Sequence, residues 1–387
     1  MAANRPDLTD LLRGRIAAEG PLPFSAFMQE ALYHPESGYY SHPERRIGRS
    51  GDFFTSVSAG PLFGSLLADT FASCWEALGR PAAWTVVEQG AHDGRFAADA
   101  LSALATRHPE AMASLRWNFV EDRPAWRAAQ AATLEAAGLA TAVTWNQPAS
   151  PNHPGVFFSN ELADALPFDI VVRRGPTWCE RRVTWADGRF LWVEIPAAPD
   201  LAARADSLEI PPFDGYMAEV PTAALAWARD WTRWVERGFS LTIDYGADRP
   251  NLYTPERAQG TFRAFHRHAV SDDVLAEPGS RDITAHVNFS ALARAAADQG
   301  WEVLGWCDQH RFLTATAETG GWLAELERRL TQSPPTPTAA AQLRQFRTLS
   351  HPGIMGRAFH VLLMGRGVPP SCADFIHGFK YRRSLPC

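Results

Sequence analysis

The sequence predicts an α/β protein on a doubly wound, mostly parallel sheet, and three observations carry that prediction. From about residue 82, short apolar runs alternate with helix-like segments, the pattern of right-handed βαβ units. The first run, through Val86-Val87-Glu88, passes into Gln89-Gly90-Ala91-His92-Asp93-Gly94, and a helical segment follows. A second run, Trp117-Asn118-Phe119-Val120, ends in the acid Glu121. Glycines let backbone approach a ligand, and free N–H groups at the helix start face its anionic part. A carboxylate after the second strand suits the two hydroxyls of a ribose, so the three together suggest an adenosine-bearing cofactor.

The glycine loop narrows the choice. A dinucleotide fingerprint wants Gly-x-Gly-x-x-Gly with an acid about 20 residues on; here the spacing is Gly-x-x-x-Gly and the acid comes later. The loop is too short for a Walker A motif and lacks its lysine, since Lys380 is the only lysine in the chain. Glu-x-Gly-x-Gly-x-Gly is the S-adenosylmethionine version, matched here except that His92 stands at the central glycine. A tight strand-to-helix turn with no ligand is the alternative.

Composition excludes several classes. The 387 residues are 46% hydrophobic and 21% charged, ordinary for a globular enzyme with a large core. The net charge of −6 provides no global basic field for nucleic acid. Five scattered cysteines show neither metal-ligand nor redox spacing, and their odd number argues against a disulfide framework. They suit a reducing compartment, and the chain is expected to be cytoplasmic. The N-terminus has no apolar signal region, and no apolar stretch approaches the roughly 20 residues that span a bilayer. Twelve histidines include no His-Glu-x-x-His pattern, so no metal is expected.

The elements follow in order. Residues 1–80 read as a helical front section: Leu8, Leu11, Leu12 and Ile16 recur at helical spacing, as do Phe24, Phe27, Met28, Ala31 and Leu32. A long loop follows, 34–55, then a helix over 61–78. Strands are expected at 84–88, 117–121, 142–145, 155–159 and 239–244, with helices at 94–107 and 124–137. Within a β-insertion of about 168–215, short antiparallel strands run from 168 to 195 and turn at Ala186-Asp187-Gly188. Residues 218–237 read as one helix whose tryptophans are packing residues. Two late strands, 301–306 and 358–364, bracket a helix at 320–331 and a spacer, Ser333-Pro-Pro-Thr-Pro-Thr. The core is taken as 81–367, and 368–387 as an unclassified tail.

Candidate chemistry gathers where strands end. Ser159-Asn160-Glu161-Leu162-Ala163-Asp164 follows the fourth strand, facing the same crevice as Gly90 and Glu121. On a helix, Glu161 and Asp164 would share a face and hold a cationic acceptor; the alternative is Asn160 as a helix cap with acids in the first turn. Gly51-Asp52-Phe53-Phe54-Thr55-Ser56 is either a lid over the cofactor or a cap for the next helix. Asp244 and Tyr245 end the fifth strand at the crevice rim, as acceptor-pocket candidates. His286 is a general-base candidate, or a hydrogen-bonded structural histidine.

The ordered motifs resemble the MidA-like methyltransferase family, the mitochondrial complex I assembly-factor arginine methyltransferases and their bacterial relatives. Phe27-Met28 through Ala31-Leu32-Tyr33-His34-Pro35 to Gly38-Tyr39-Tyr40 is similar to its opening motif. Gly51-Asp52-Phe53 with Thr55-Ser56 is similar to its second, and Glu88-x-Gly90 with Gly94 to its cofactor loop. Asn160-Glu161 with Asp164-Ala165-Leu166-Pro167 is the most specific piece. Ile243-Asp244-Tyr245-Gly246, Gly260-Thr261 with Arg263-Ala264, and Asp282 through Phe289 continue in order. The resemblance implies a seven-stranded Rossmann-like class I methyltransferase sheet, S-adenosylmethionine as cofactor, and a protein arginine as acceptor. Glu88, Gly90, His92, Gly94, Glu121, Gly51 and Asp52 would lie on the cofactor side, and Asn160, Glu161 and Asp164 at the transfer site. His92 departs from the pattern; its imidazole either crowds the cofactor or hydrogen-bonds the cofactor's carboxylate. A methyltransferase-like assembly factor without turnover and a small-molecule methyltransferase are the rival readings.

Overall fold

The structure, a computed structural model, describes residues 7–41, 55–148, 150, 153–266, 269–332 and 337–386. Gly51 and Asp52, and most of the 333–338 spacer, lie outside the described residues.

Seven strands form the main run of the central sheet: β1 (Trp84–Gln89), β2 (Leu115–Val120), β3 (Val143–Trp145), β4 (Gly155–Asn160), β5 (Gly238–Ala247), β6 (Glu302–Asp308) and β7 (Phe359–Arg366), and a short eighth, Val287–Asn288, pairs in parallel with the end of β5. Their order is β3-β2-β1-β4-β5-β7-β6. Strands β1 to β5 are mutually parallel; β7 runs antiparallel to both its neighbours, β5 and β6. Strand order reverses between β1 and β4, which puts the ligand crevice at the carboxyl ends of these two strands.

The strands are legible as apolar runs because both faces of the sheet are covered. Val86 and Phe158 point into one core, with Leu66, Leu67 and Phe71 of the helix Leu62–Ala77. Val87 and Phe157 point into the other, with Ala224, Ala228 and Trp231. Phe71 meets Trp117 and Phe158 edge-on at 5.6 and 5.5 Å.

The insertion is a second, antiparallel sheet of Asp169–Arg174, Thr177–Ala186, Arg189–Pro196 and Met217–Val220, with Leu22–Pro23 pairing to Thr177–Ala186. Period-2 alternation divides its faces. Ile170 and Val172 pack against Leu12, Ile16, Phe24 and Phe27 of the first two helices, Leu8–Glu19 and Phe24–Tyr33, while Val171 packs against Leu201 and Tyr216. The first two helices therefore cover the insertion, and Leu62–Ala77 belongs to the core of the central sheet.

Three expectations are corrected. Residues 218–237 are not one helix. Met217–Val220 pairs with Asp169–Val172 as a strand, the helix is Thr222–Asp230, and a tight turn over Trp231–Arg233 follows. Pro221 separates strand from helix, and the available sheet edge outweighs helical periodicity. Around the late strands, two further helices appear, Gln309–Thr319 and Pro337–Ser350, the second starting on a proline of the supposed spacer. The tail is fastened to the fold: Ile376 and Phe379 are buried in the main core, and the Arg383 N–H donates to the Trp306 carbonyl at 2.7 Å. Its anchors are single residues joined by turns, so no periodicity marks them.

Candidate active site

At the end of β1 the chain alternates through left-handed conformations at Gly90, His92 and Gly94, with φ of 82°, 47° and 80°. A β-carbon on Gly94 would come within 3.0 Å of Leu134 Cδ2 and 3.2 Å of the Gln130 backbone, so this glycine admits the helix Pro124–Ala136. A β-carbon on Gly90 would lie 3.3 Å from Leu162. Gly90 is thus where the loop after β1 touches the loop after β4. His92 carries a side chain in a conformation that costs most L-residues roughly 1–2 kcal/mol, though histidine enters it more readily than most. Its ring packs on Trp126, with centroids 4.4 Å apart, and its carbonyl accepts from Gln130 Nε2 at 3.0 Å.

Glu88, at the base of this loop, is buried and accepts from the Trp117 indole N–H at 2.9 Å. Burial pushes its carboxyl up to about 8, so at neutral pH it is largely protonated. Glu121 begins the loop after β2. Its Oε1 accepts from the Arg123 N–H at 2.9 Å, and burial lifts its carboxyl above the ordinary range. Asn146, just past β3, accepts from the Glu121 N–H at 2.9 Å and donates to its carbonyl at 3.1 Å. Arg123 donates to the carbonyls of Tyr33 and Tyr40, and the Trp126 indole also donates to Tyr40. The front segment, with Tyr33 and Tyr40 of the opening motif, is thereby strapped beside the β2 loop by Arg123 and Trp126, which carry no sequence signature.

Beyond β4 no α-helix starts, contrary to the sequence expectation. Glu161 is left-handed at φ 53°, and one tight turn follows over Ala163–Ala165. The reason is Asp244 at the end of β5. Its Oδ2 accepts from the N–H groups of Leu162, Ala163 and Asp164 at 3.1, 2.7 and 3.4 Å, and its Oδ1 from Tyr245 at 2.8 Å. Asp244, rather than Asn160, satisfies the N–H groups of this turn. Asn160 Nδ2 donates to Glu161 Oε1 at 2.9 Å, and its Oδ1 is buried with no hydrogen-bond partner among the described residues.

Glu161 Oε1 also accepts from the Ser56 N–H at 2.9 Å, which brings the second motif of the front section onto the β4 loop. Burial pushes the Glu161 carboxyl up to about 8 against these two donors. Asp164 is driven well above the carboxylate range by burial, then by the charges of Asp244, Asp282 and Glu161. Burial raises Asp244 to about 7, resisted by its four backbone donors. Tyr40 donates to Asp282 at 2.7 Å, and Tyr33 to the Ala165 carbonyl at 3.0 Å. Tyr245 packs on Phe359 and feels the charges of Glu161, Asp164 and Asp244. Among the described residues, no arginine or lysine is ion-paired with Glu161, Asp164 or Asp244. The Ala285 N–H reaches the Asp164 carbonyl at 2.9 Å, while the His286 ring faces Arg257 at 3.2 Å.

A reversed strand order, a left-handed glycine loop at the reversal, an acid after β2 and a cluster of acids after β4 define the class of S-adenosylmethionine-dependent methyltransferases. Residues 66–307 match the family described as "Putative S-adenosyl-L-methionine-dependent methyltransferase", and the chain belongs to that family. It is 33% identical to a superfamily relative from Burkholderia thailandensis whose crystal structure holds S-adenosyl-homocysteine, with a TM-score of 0.82 over 94% of this chain and 92% of that one. A second crystal structure from Burkholderia thailandensis matches with a TM-score of 0.83 and 33% identity over 97% of this chain and 95% of that one. Among curated relatives, the Drosophila melanogaster protein arginine methyltransferase NDUFAF7 homolog, mitochondrial, is 28% identical over 93% of this chain and 85% of its own length. The Homo sapiens protein arginine methyltransferase NDUFAF7, mitochondrial, is 27% identical over 77% and 70%. The fold, cofactor and activity class expected from the sequence all agree with these findings.

The residues present fit the cofactor. The glycine loop opens at the strand reversal, the Glu121 carboxylate stands after β2, and the orphaned Asn160 Oδ1 offers a buried acceptor on the β4 side. When bound, S-adenosylmethionine supplies an electrophilic methyl group on a cationic sulfur.

Proposed function

We propose that this chain methylates a guanidinium nitrogen of a protein arginine. The observation that supports this most is a set of acids, half-buried Glu161 and buried Asp164, with no cation paired to them among the described residues. Carboxyls that burial keeps protonated when alone become charged beside a cation, and a guanidinium stays charged to a pKa above about 12. A guanidinium is also a poor nucleophile, so its proton must leave as the new bond forms.

In this reading Glu121 holds the ribose, and Gly90, His92 and Gly94 shape the floor of the pocket, with Glu88 buried under it. Asn160 Oδ1 accepts a hydrogen bond from a bound ligand. Glu161 orients the guanidinium, biases its charge toward the far nitrogens, and takes the proton from the nitrogen that gains the methyl group. Asp164 is the second carboxyl of the set. Positioning supplies much of the acceleration. The curated relatives named above are called protein arginine methyltransferases, which supports the same acceptor. The free thiols Cys74, Cys179, Cys307 and Cys372 suit a reducing compartment, in line with a cytoplasmic protein.

The test is to incubate the pure protein with methyl-labelled S-adenosylmethionine and host lysate, then hydrolyse the labelled product. Label in methylated arginine is expected, lost in Glu161→Gln. Label in lysine or in a small metabolite would overturn the acceptor assignment.

A further inference from the structure

We propose that Asp244 is a positioning residue for methyl transfer: its carboxylate gathers four backbone N–H groups and so holds the turn that aims Glu161 at the acceptor. The proposal rests on the reading above, in which Glu161 takes the proton.

The geometry begins with β5, paired on both sides by β4 and β7, so Asp244 stands on one of the most constrained strands of the fold. From there the Ile243 carbonyl accepts the Glu161 N–H at 2.9 Å. The next three N–H groups along the chain converge on a single oxygen of Asp244, and its other oxygen takes the Tyr245 N–H. Successive N–H groups converging on one anion form a nest. A helix N-cap commonly satisfies one or two such donors; this carboxylate satisfies four and comes from a strand 80 residues away in sequence.

The nest has a consequence at Glu161. That residue is held at φ 53°, where a β-carbon is disfavoured and glycine or asparagine would be relaxed. Hydrogen bonds on both sides maintain it: its own N–H to Ile243, and the three following N–H groups to Asp244. Released from Asp244, the turn is free to relax toward ordinary backbone, and the Glu161 carboxyl swings away from Ser56 and Asn160. Asp244 also acts through its charge. Among the described residues, Asp164, Asp244 and Tyr245 are the titratable groups that face Glu161, and a negative Asp244 makes ionisation of Glu161 harder.

The full-length Asp244→Asn variant tests this. It keeps the shape but loses the charge and one of two acceptor oxygens. The expected result is a dissociation constant for S-adenosylmethionine within about threefold of wild type and methyl transfer to lysate protein slower by on the order of tenfold or more. The acid limb of the rate should also move to lower pH, because removing a neighbouring negative charge lowers the pKa of Glu161. A purely structural role would lower the fraction of protein that binds cofactor without moving that limb, and this result overturns the proposal, as does a wild-type rate. Asp244→Ser is the second variant; failure of both to fold would make Asp244 a folding residue and overturn the proposal.

Hydrogen exchange on the wild-type protein checks the nest directly. The Leu162, Ala163 and Asp164 amides should exchange at least about 100-fold more slowly than exposed-loop amides, and exposed-loop rates there overturn the proposal. If Glu161→Gln retained full turnover, the reading of Glu161 as proton acceptor would fail while protection at these amides still stood, so the two failures are distinguishable.

Discussion

The two sides of the crevice are built differently. The cofactor loop of the β1–β2 side is local: a strand, a left-handed loop and a helix follow one another within Trp84–Arg107, and Glu121 directly follows the neighbouring strand. The β4–β5 side is assembled across the chain. Glu161 is held by Ser56, 105 residues away; Ala163 by Asp244, 81 away; and Asp282 by Tyr40, 242 away. A cofactor common to many acceptors can be held by a contiguous motif. Acids buried without cations need support from several directions, because each alone pays desolvation.

The largest expected effect lies on the long-range side. Glu161→Gln should lower turnover by at least about a hundredfold, the usual size for losing a general base, with cofactor affinity within a few-fold. Calorimetry and label transfer on the same preparation check this, and equal loss of both would move Glu161 to the cofactor or folding role.

A local break should act on stability and cofactor binding first. Gly94→Ala puts a β-carbon 3.0 Å from Leu134 and into a left-handed conformation. It should cost about 1–2 kcal/mol from the backbone alone, with crowding added, read by denaturant unfolding. If turnover per cofactor-bound molecule also fell, the two sides would be less separable than their construction implies.

The pH profile sharpens the comparison. Glu161, raised to about 8 by burial, must be charged to accept a proton. In the free enzyme kcat/KM should rise with pH through about 8, losing about tenfold per pH unit below it. Glu161→Gln should abolish that limb. A limb left in place by Glu161→Gln would assign it to another of the raised carboxyls, Glu88, Asp164 or Asp244. The sign for stability is the reverse. Glu161 and Glu88 are protonated most readily in the folded state, so each destabilises the fold as pH rises from the ordinary carboxylate range through about 8.

The smallest effect is expected at His92. Glycine there relieves the left-handed strain but frees the unfolded chain, so His92→Gly should change stability by less than about 1 kcal/mol. Cofactor affinity should change less than tenfold, since the ring already rests on Trp126. A larger gain in affinity would mean that the imidazole obstructs the pocket.

The same contrast explains what was legible in the sequence. The strands near 84, 117, 155 and 239 could be read because sheets covered on both faces need apolar runs, and the Asp187-Gly188 turn because hairpins need such residues. The Asn160–Asp164 block was visible as a motif, but its conformation was not: nothing near Glu161 says that Asp244 will collect the N–H groups. Ser56 was visible in a motif but its partner Glu161 was not, and Asn146 and Arg123 were invisible for the same reason, since a hydrogen bond between distant segments leaves no period or spacing. Met217–Val220 misled because Val220, Leu225 and Trp227 fit a helical period, while the partner strand that claims the first of them lies about 50 residues earlier.

The two sides of the crevice meet where the transferred methyl group would be presented to Glu161. A crystal structure of this chain with S-adenosyl-homocysteine is the decisive measurement. Ribose hydroxyls on Glu121 and a sulfur turned toward Asn160 and Glu161 are expected; a ligand whose sulfur faces away from the β4 loop, with Glu161 still bound to Ser56 and shielded from it, rules out transfer at Glu161.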